Sequence, residues 1–262
     1  MKTKIYTLIA SVFPLFAFTQ FDGTDTTRIS MGTKVVIVIN DSTKTKAPKA
    51  KNFKHENHWS GFELGVNGLL SPSHRLNDNG LNNYMDLDYS KNIAIQLNIM
   101  EYNQPIIKNK LFLMTGLGFR FNRYGFKNNV RVGYNALEVF GSEDSLRIYS
   151  KNLLKASYIS VPLYLKVMPG KLADKSFHFA AGGVANYRIS SKTKQKYEVE
   201  GQTYTDKVKG HYHLNPFLFD ASVRFGVGSF VAFANYSVNT LFEKNRGPES
   251  YPFTVGVRLI GF

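Results

Sequence analysis

His211 and His213 alternate in the stretch GHYHLN, so in extended backbone both imidazoles leave the chain on one side. That is the first requirement of a metal site, which would still need a third ligand. Alternating histidines in a loop are ordinarily solvent-facing side chains, and no metal is expected. His55 and His58 stand at a helical spacing without a helical context, and they receive the same reading. His178 lies on the polar side of an alternating run. A His beside Ser or Asp activates a nucleophile in hydrolytic enzymes, but His178 opens its run at the end opposite the outer rim, and no catalytic residue is assigned. The chain has no cysteine, so neither a thiolate site nor a disulfide framework is available. GLG at 116–118 and GVG at 226–228 sit inside apolar runs and match no helix-entry phosphate loop, so no cofactor is expected.

Seven charged residues make a second constellation: Glu63, Arg120, Lys166, Arg188, Asp220, Arg224 and Arg258. Each falls on the polar side of a segment whose other side is uniformly apolar. Charges enclosed by such segments must pair, because an isolated buried charge is costly. The expectation is a salt-bridged filling with a structural role rather than an ion path. Five of the seven are cations, so any leak would favour anions.

The elements that position these charges are eight runs of period-two alternation, at about 59–70, 92–103, 111–126, 156–169, 177–190, 215–228, 230–242 and 252–262. Most reach ten residues or more, whereas an ordinary strand has ~5–6 and a tilted strand crossing a bilayer needs ~9–11. In the sixth run Phe217, Phe219, Ala221, Val223, Phe225 and Val227 share one side, against Asp220, Ser222 and Arg224 on the other. The fourth sets Ile159, Val161, Leu163, Leu165 and Val167 against Tyr158, Ser160, Tyr164 and Lys166. Pro162 sits mid-strand and lacks a ladder donor, which predicts a bulge there.

A soluble sandwich would bury the apolar side in a core, while a membrane barrel would turn it to lipid and enclose the polar side. Connection lengths separate the two. Gaps after the first, third, fifth and seventh runs are long, at about 71–91, 127–155, 191–214 and 243–251, and those between are short. Long alternating with short is the signature of an up-and-down barrel with short periplasmic turns and long outer loops. The fold class read here is all-β: a transmembrane antiparallel up-and-down β-barrel of eight strands, both termini periplasmic. Its last strand closes on its first so that no edge is left unpaired in lipid. Phe262 then belongs to the inner aromatic girdle, aimed outward by a bulge at Gly261. Trp59, Tyr84, Tyr89 and Tyr251 are girdle or loop aromatics.

The N-terminus supports export. Lys2 and Lys4 precede an apolar run from Ile5 to Phe18, and Ala17 and Thr19 are small residues before Gln20. That is a signal peptide over 1–19, too short to span the bilayer. Residues 20–58 read as a periplasmic segment: one or two short strands around Val35–Ile39, then a Lys-rich linker. The barrel occupies 59–262. The formal net charge of +14 raises nucleic acid as a partner, and export removes it. Lysines of the 191–214 loop suit anionic lipid headgroups. Membrane lipid is the expected surrounding, and residues 26–40 are a candidate strand for pairing with a partner protein.

Together, TTRISMGTKVVIVIND, HWSGFELGVNGLL, YISVPLYLKV and the terminal PFTVGVRLIGF resemble the outer-membrane β-barrel family common in Bacteroidota, similar to PorT-type and OmpA-like eight-stranded barrels. The resemblance implies a bacterial outer-membrane location. The role expected is structural or interaction-based, as an accessory subunit of an outer-membrane or secretion complex, such complexes being where some members of the family act, and no enzyme activity is expected. The alternatives are a small anion-selective pore, a lipid- or peptide-modifying enzyme of the outer membrane, and a secreted soluble sandwich.

Overall fold

The computed structural model describes residues 26–31, 34–39, 58–76, 83–107, 110–168 and 177–261. The predicted signal peptide, most of the predicted linker and Phe262 lie outside them. The chain divides into two compact units, residues 1–54 and 55–262.

In the first unit β1 (Thr26–Met31) and β2 (Lys34–Ile39) form an antiparallel hairpin, with Thr26 opposite Ile39 and Met31 opposite Lys34. The β-branched run Val35–Ile39 lies in β2, as its composition leads one to expect.

The second unit is a closed ring of eight antiparallel strands. They are β3 (Gly61–Leu70), β4 (Ile93–Ile107), β5 (Leu111–Gly125), β8 (Tyr149–Val167), β9 (Phe177–Val199), β11 (Phe217–Val227), β12 (Phe230–Ser237) and β13 (Tyr251–Ile260). Each pairs with the next, and β13 returns to β3 with Val255 opposite Val66. Two hairpin elements stand outside the ring. β6 (Val130–Tyr134) pairs with β7 (Val139–Glu143) inside the β5–β8 connection, and β10 (Gln202–Lys209) extends β9. Every ring strand coincides with one of the eight alternating runs, though β8 begins at Tyr149 and β9 continues to Val199, beyond the runs that announce them. Connections at one end of the ring are short: 108–110, 168–176 and Gly228–Ser229. Those at the other end carry β6, β7, β10 and two short 3-10 turns, Asn83–Met85 and Tyr89–Lys91.

Side-chain direction follows from the pleat. In β11 exposure alternates without a fault, from Phe217 outward to Leu218 inward and on to Val227. Around the ring Leu64, Leu117, Leu163, Phe179, Val223 and Val255 face outward and are exposed, while Glu63 on the inner side is 0% accessible. Eleven residues of β11, at ~3.3 Å per residue and the usual ~40° tilt, make an apolar belt about 25 Å tall. No helix among the described residues is long and apolar enough to cross a membrane; the crossing elements are strands.

Two local expectations are corrected. Pro162 produces no register shift. Instead the β5–β8 ladder is interrupted beside it, Thr115 pairing with Leu163 and Gly118 with Ser160, while Thr115 Oγ1 donates to the Pro162 carbonyl at 2.8 Å. Losing one donor is met by a gap on one side of the strand, and pairing with β9 continues through Pro162. In β13 the bulge falls between Arg258 and Ile260, before Gly261. It leaves both Leu259 and Ile260 facing out.

Candidate functional site

The lumen collects six of the seven predicted charges in buried positions. Arg120 on β5 reaches across to Asp220 on β11, with Nη2 to Oδ2 at 2.6 Å. Asp220 also accepts from Asn186 Nδ2 at 2.9 Å and Ser237 Oγ at 2.5 Å. Arg224 on β11 pairs with Glu63 on β3, and its guanidinium lies 5.3 Å from the Phe233 ring centroid. Lys166 on β8 pairs at 3.2 Å with Glu101 of β4. Arg258 donates to the Ser229 carbonyl at 2.9 Å. Arg188 is half-buried near the long-loop end and donates to Ser191 Oγ at 3.1 Å. Between the ion pairs run neutral chains. Ser222 Oγ donates to Asn235 Oδ1 at 2.6 Å, so Tyr164, 2.6 Å from the same Oγ, is its donor. Ser160 donates to Asn186 Oδ1 at 2.7 Å. The ion pairs and the Tyr164–Ser222–Asn235 and Ser160–Asn186 hydrogen bonds each join different strands, so the network ties the ring across its bore as well as along its ladders.

Glu101 was not among the predicted charges. Strict alternation from Ile93 through Ile99 aims it outward. A bulge between Asn98 and Met100 resets the count, so Ile99 and Met100 both face out and Glu101 turns in. Its carboxylate organises the short-turn mouth. One oxygen accepts the backbone N–H groups of Trp59 and Ser60 at 2.6 and 3.0 Å, and the other accepts from Lys166 and from Asn103 Nδ2, the latter at 2.8 Å. Asn98 Nδ2 donates to the Trp59 carbonyl at 3.0 Å.

Residues 58–60 are thereby drawn into the bore. Trp59 is therefore not a girdle residue but a lumen residue, 2% accessible. Its indole lies against Gly116 and Gly118, where an added Cβ would stand 2.8 and 2.9 Å from ring atoms. His58 stacks on His178 with centroids 3.6 Å apart. Gly226 leaves room for the His178 ring, which a Cβ there would meet at 2.3 Å. The space lined by His58, Met114, Lys166, His178, Ala180 and Arg224 has no room for a water molecule.

The long-loop end is closed differently. Tyr124, Phe126, Leu154, Tyr158, Leu214, Leu218, Leu241 and Phe242 form an apolar cluster with Met85, Val132 and Val139 from the loops. Tyr84 packs against it and donates to the Val139 carbonyl at 3.1 Å; burial first, then Glu138, pushes its phenol up to about 12. His213 is part of this cap and is not solvent-facing: it is 5% accessible, and its Nε2 lies 2.8 Å from the Asn135 carbonyl. His211 remains exposed. Among the described residues no group of three His, Asp or Glu side chains converges to hold a metal ion.

The site is thus a bore with paired charges at its centre, a cork of chain at one mouth and a folded loop cap at the other. Its chemistry is cohesion: the charged groups are spent on one another and on neighbouring polar atoms. Comparison with protein families finds the outer membrane protein beta-barrel domain over residues 46–243. No curated protein and no solved structure matches the chain.

Proposed function

The chain belongs to the outer membrane protein beta-barrel domain family, and from that premise we propose that it is a closed envelope barrel acting through its surfaces rather than through its bore. The observation that carries this is the short-turn mouth, where Trp59 and Ser60 are held by Glu101 and Glu101 by Lys166. A pore would keep that mouth hydrated. The histidine best placed for catalysis, His178, stacks on His58 inside the bore, which supports a role other than catalysis.

In this reading the short turns face the periplasm and the long loops face outward, the arrangement usual for exported up-and-down barrels. The β1–β2 hairpin precedes the barrel and supplies two strand edges for pairing with a partner's sheet. An accessory subunit of a secretion or other outer-membrane complex, as in the PorT-type barrels of Bacteroidota, fits this organisation best.

Planar-bilayer recording tests the closed bore. The purified protein should give no openings, whereas Trp59→Ala should give small openings that prefer anions, because cations outnumber carboxylates in the bore. Steady conductance from the unaltered protein would remove the reading and favour the pore. Deleting residues 26–40 should release a co-purifying partner; retention of every partner would sink the pairing role of the hairpin.

A further inference from the structure

Outward-facing positions on β5, β8 and β9 are apolar up to one level, and on each strand a cation stands above it. On β5 the series runs Leu117, Phe119, Phe121, then Arg123. On β8 it runs Leu163, Val161, Ile159, Ser157, then Lys155, and on β9 it passes Tyr187 and Ile189 before Lys192. The registers bring these cations into a single row. Arg123 is opposite Lys155, Lys155 opposite Lys192, and Lys192 opposite Lys209 of β10. One level further out, Lys194 is opposite Lys207. The four-strand row follows from β8, β9 and β10 extending past the apolar belt, which the alternating runs alone do not disclose.

Side chains directly opposite on one face of a sheet stand ~5 Å apart, and like charges there are destabilising. Nature's usual remedy is an interleaved carboxylate. Among the described residues none of these six cations forms an ion pair. The nearby acid Asp206 is turned to the other face, 3.8 Å from Arg147. The row stands two residues of strand beyond Phe121 on β5, three beyond Ile189 on β9 and four beyond Ile159 on β8, about 7–13 Å past the last apolar outward positions. In a bilayer that height is where hydrocarbon gives way to headgroup phosphates. Tyr187 and Phe217, opposite one another with ring centroids 5.1 Å apart, stand at the upper edge of the apolar belt below the row.

We propose that Arg123, Lys155, Lys192 and Lys209, backed by Lys194 and Lys207, form a docking surface for the phosphate groups of glycolipid in the leaflet around the long-loop end. The inference rests on the outward orientation of that end. The missing counter-charge is supplied by the membrane: phosphate oxygens accept from several ammonium groups at once, and acyl chains continue down the apolar belt below. The row therefore fixes the depth and rotational setting of the barrel in its leaflet.

The test is titration of the full chain, in zwitterionic detergent, with diphosphoryl lipid A, its dephosphorylated form, phosphatidylglycerol and inorganic phosphate, read by native mass spectrometry and thermal shift. Diphosphoryl lipid A should bind tightest. Lys155→Gln with Lys192→Gln should weaken it about thirtyfold, equivalent to about 1 kcal/mol for each cation at the surface, without lowering the melting temperature of the lipid-free protein. Lys155→Arg with Lys192→Arg should keep the affinity. Equal binding by the glutamine variant, or an equal thermal shift from inorganic phosphate alone, would overturn the proposal. Orientation is read separately. The chain has no cysteine, so Leu146→Cys on a long loop can be labelled on intact cells by an impermeant maleimide. A protected Leu146→Cys overturns the orientation, and with it the choice of leaflet, whatever the lipid titration gives.

Discussion

The two halves of the barrel interior are filled by opposite chemistry. From the short-turn mouth to mid-bore the contacts are Glu101–Lys166, Glu63–Arg224 and Asp220–Arg120. Toward the long loops they are Tyr124, Leu154, Leu214, Leu218 and Phe242. The reason lies outside the wall. At the depth of the apolar belt the surroundings are hydrocarbon, so an apolar side chain gains nothing by turning inward, and only paired polar groups distinguish inside from outside. Beyond the belt water returns, burial of apolar surface again drives folding, and the loops build an ordinary core.

That contrast is broken most severely by removing one member of a mid-bore pair. Asp220→Ala strands the Arg120 guanidinium and two further donors, Asn186 and Ser237. It should cost about 3–5 kcal/mol, measured by denaturant unfolding in lipid vesicles, and spread over the whole barrel. Replacing both partners, Arg120→Met with Asp220→Leu, should recover most of that loss. If the single variant unfolds like the unaltered protein, the mid-bore pairs are not what holds the ring.

The loop core should respond locally. Leu214 is fully buried, and Leu214→Ala should cost about 3 kcal/mol. The loss should appear as faster amide exchange in β6, β7 and the 238–250 connection, with strand protection at belt depth unchanged. A smaller effect is expected at the cork. Gly118→Ala places a methyl group against the Trp59 ring and the Asn98 side chain, an overpacking worth about 1–3 kcal/mol. It should raise conductance as well as lower stability, which separates the cork from either core.

These responses also show what the chain makes legible before its fold is known. Alternation in the NPFLFDASVRFGVG run sorts Asp220 and Arg224 inward because β11 has no irregularity. The same rule misplaces Glu101, since the bulge at Asn98–Met100 has no mark in its sequence. Trp59 misleads for a related reason: an aromatic ahead of a membrane strand reads as a girdle residue, and only the glycines at 116 and 118 on a distant strand make room for it in the bore. The loop core is invisible to periodicity, because Leu214, Leu241 and Phe242 come from irregular connections. Pairing partners across the bore, such as Lys166 with Glu101, are likewise set by the ring and not by neighbours in sequence.

The smallest effect lies in the loops. Asp144 accepts from the Tyr149 hydroxyl at 2.5 Å and from the amides of Leu146 and Arg147 at 3.1 Å. The tyrosine hydrogen bond, chiefly, holds its carboxyl below the usual 3.8. A depressed folded value means the contribution is complete at neutral pH and is lost as pH falls below 3.8 through the folded value. Exchange at the Leu146 and Arg147 amides, corrected for its intrinsic pH dependence, should therefore quicken only in acid, while the Leu214 region stays protected. Loss already at pH 6 would deny the carboxylate that role.

The account depends on which surface meets hydrocarbon, and the single tryptophan of the chain offers the most direct measurement. In vesicles of lipids brominated along their acyl chains, Trp59 fluorescence should be unquenched and also protected from aqueous acrylamide, while Trp59→Phe with Val223→Trp should be quenched strongly by the bromine. Quenching of Trp59 by the brominated chains, with none at position 223, would contradict the account.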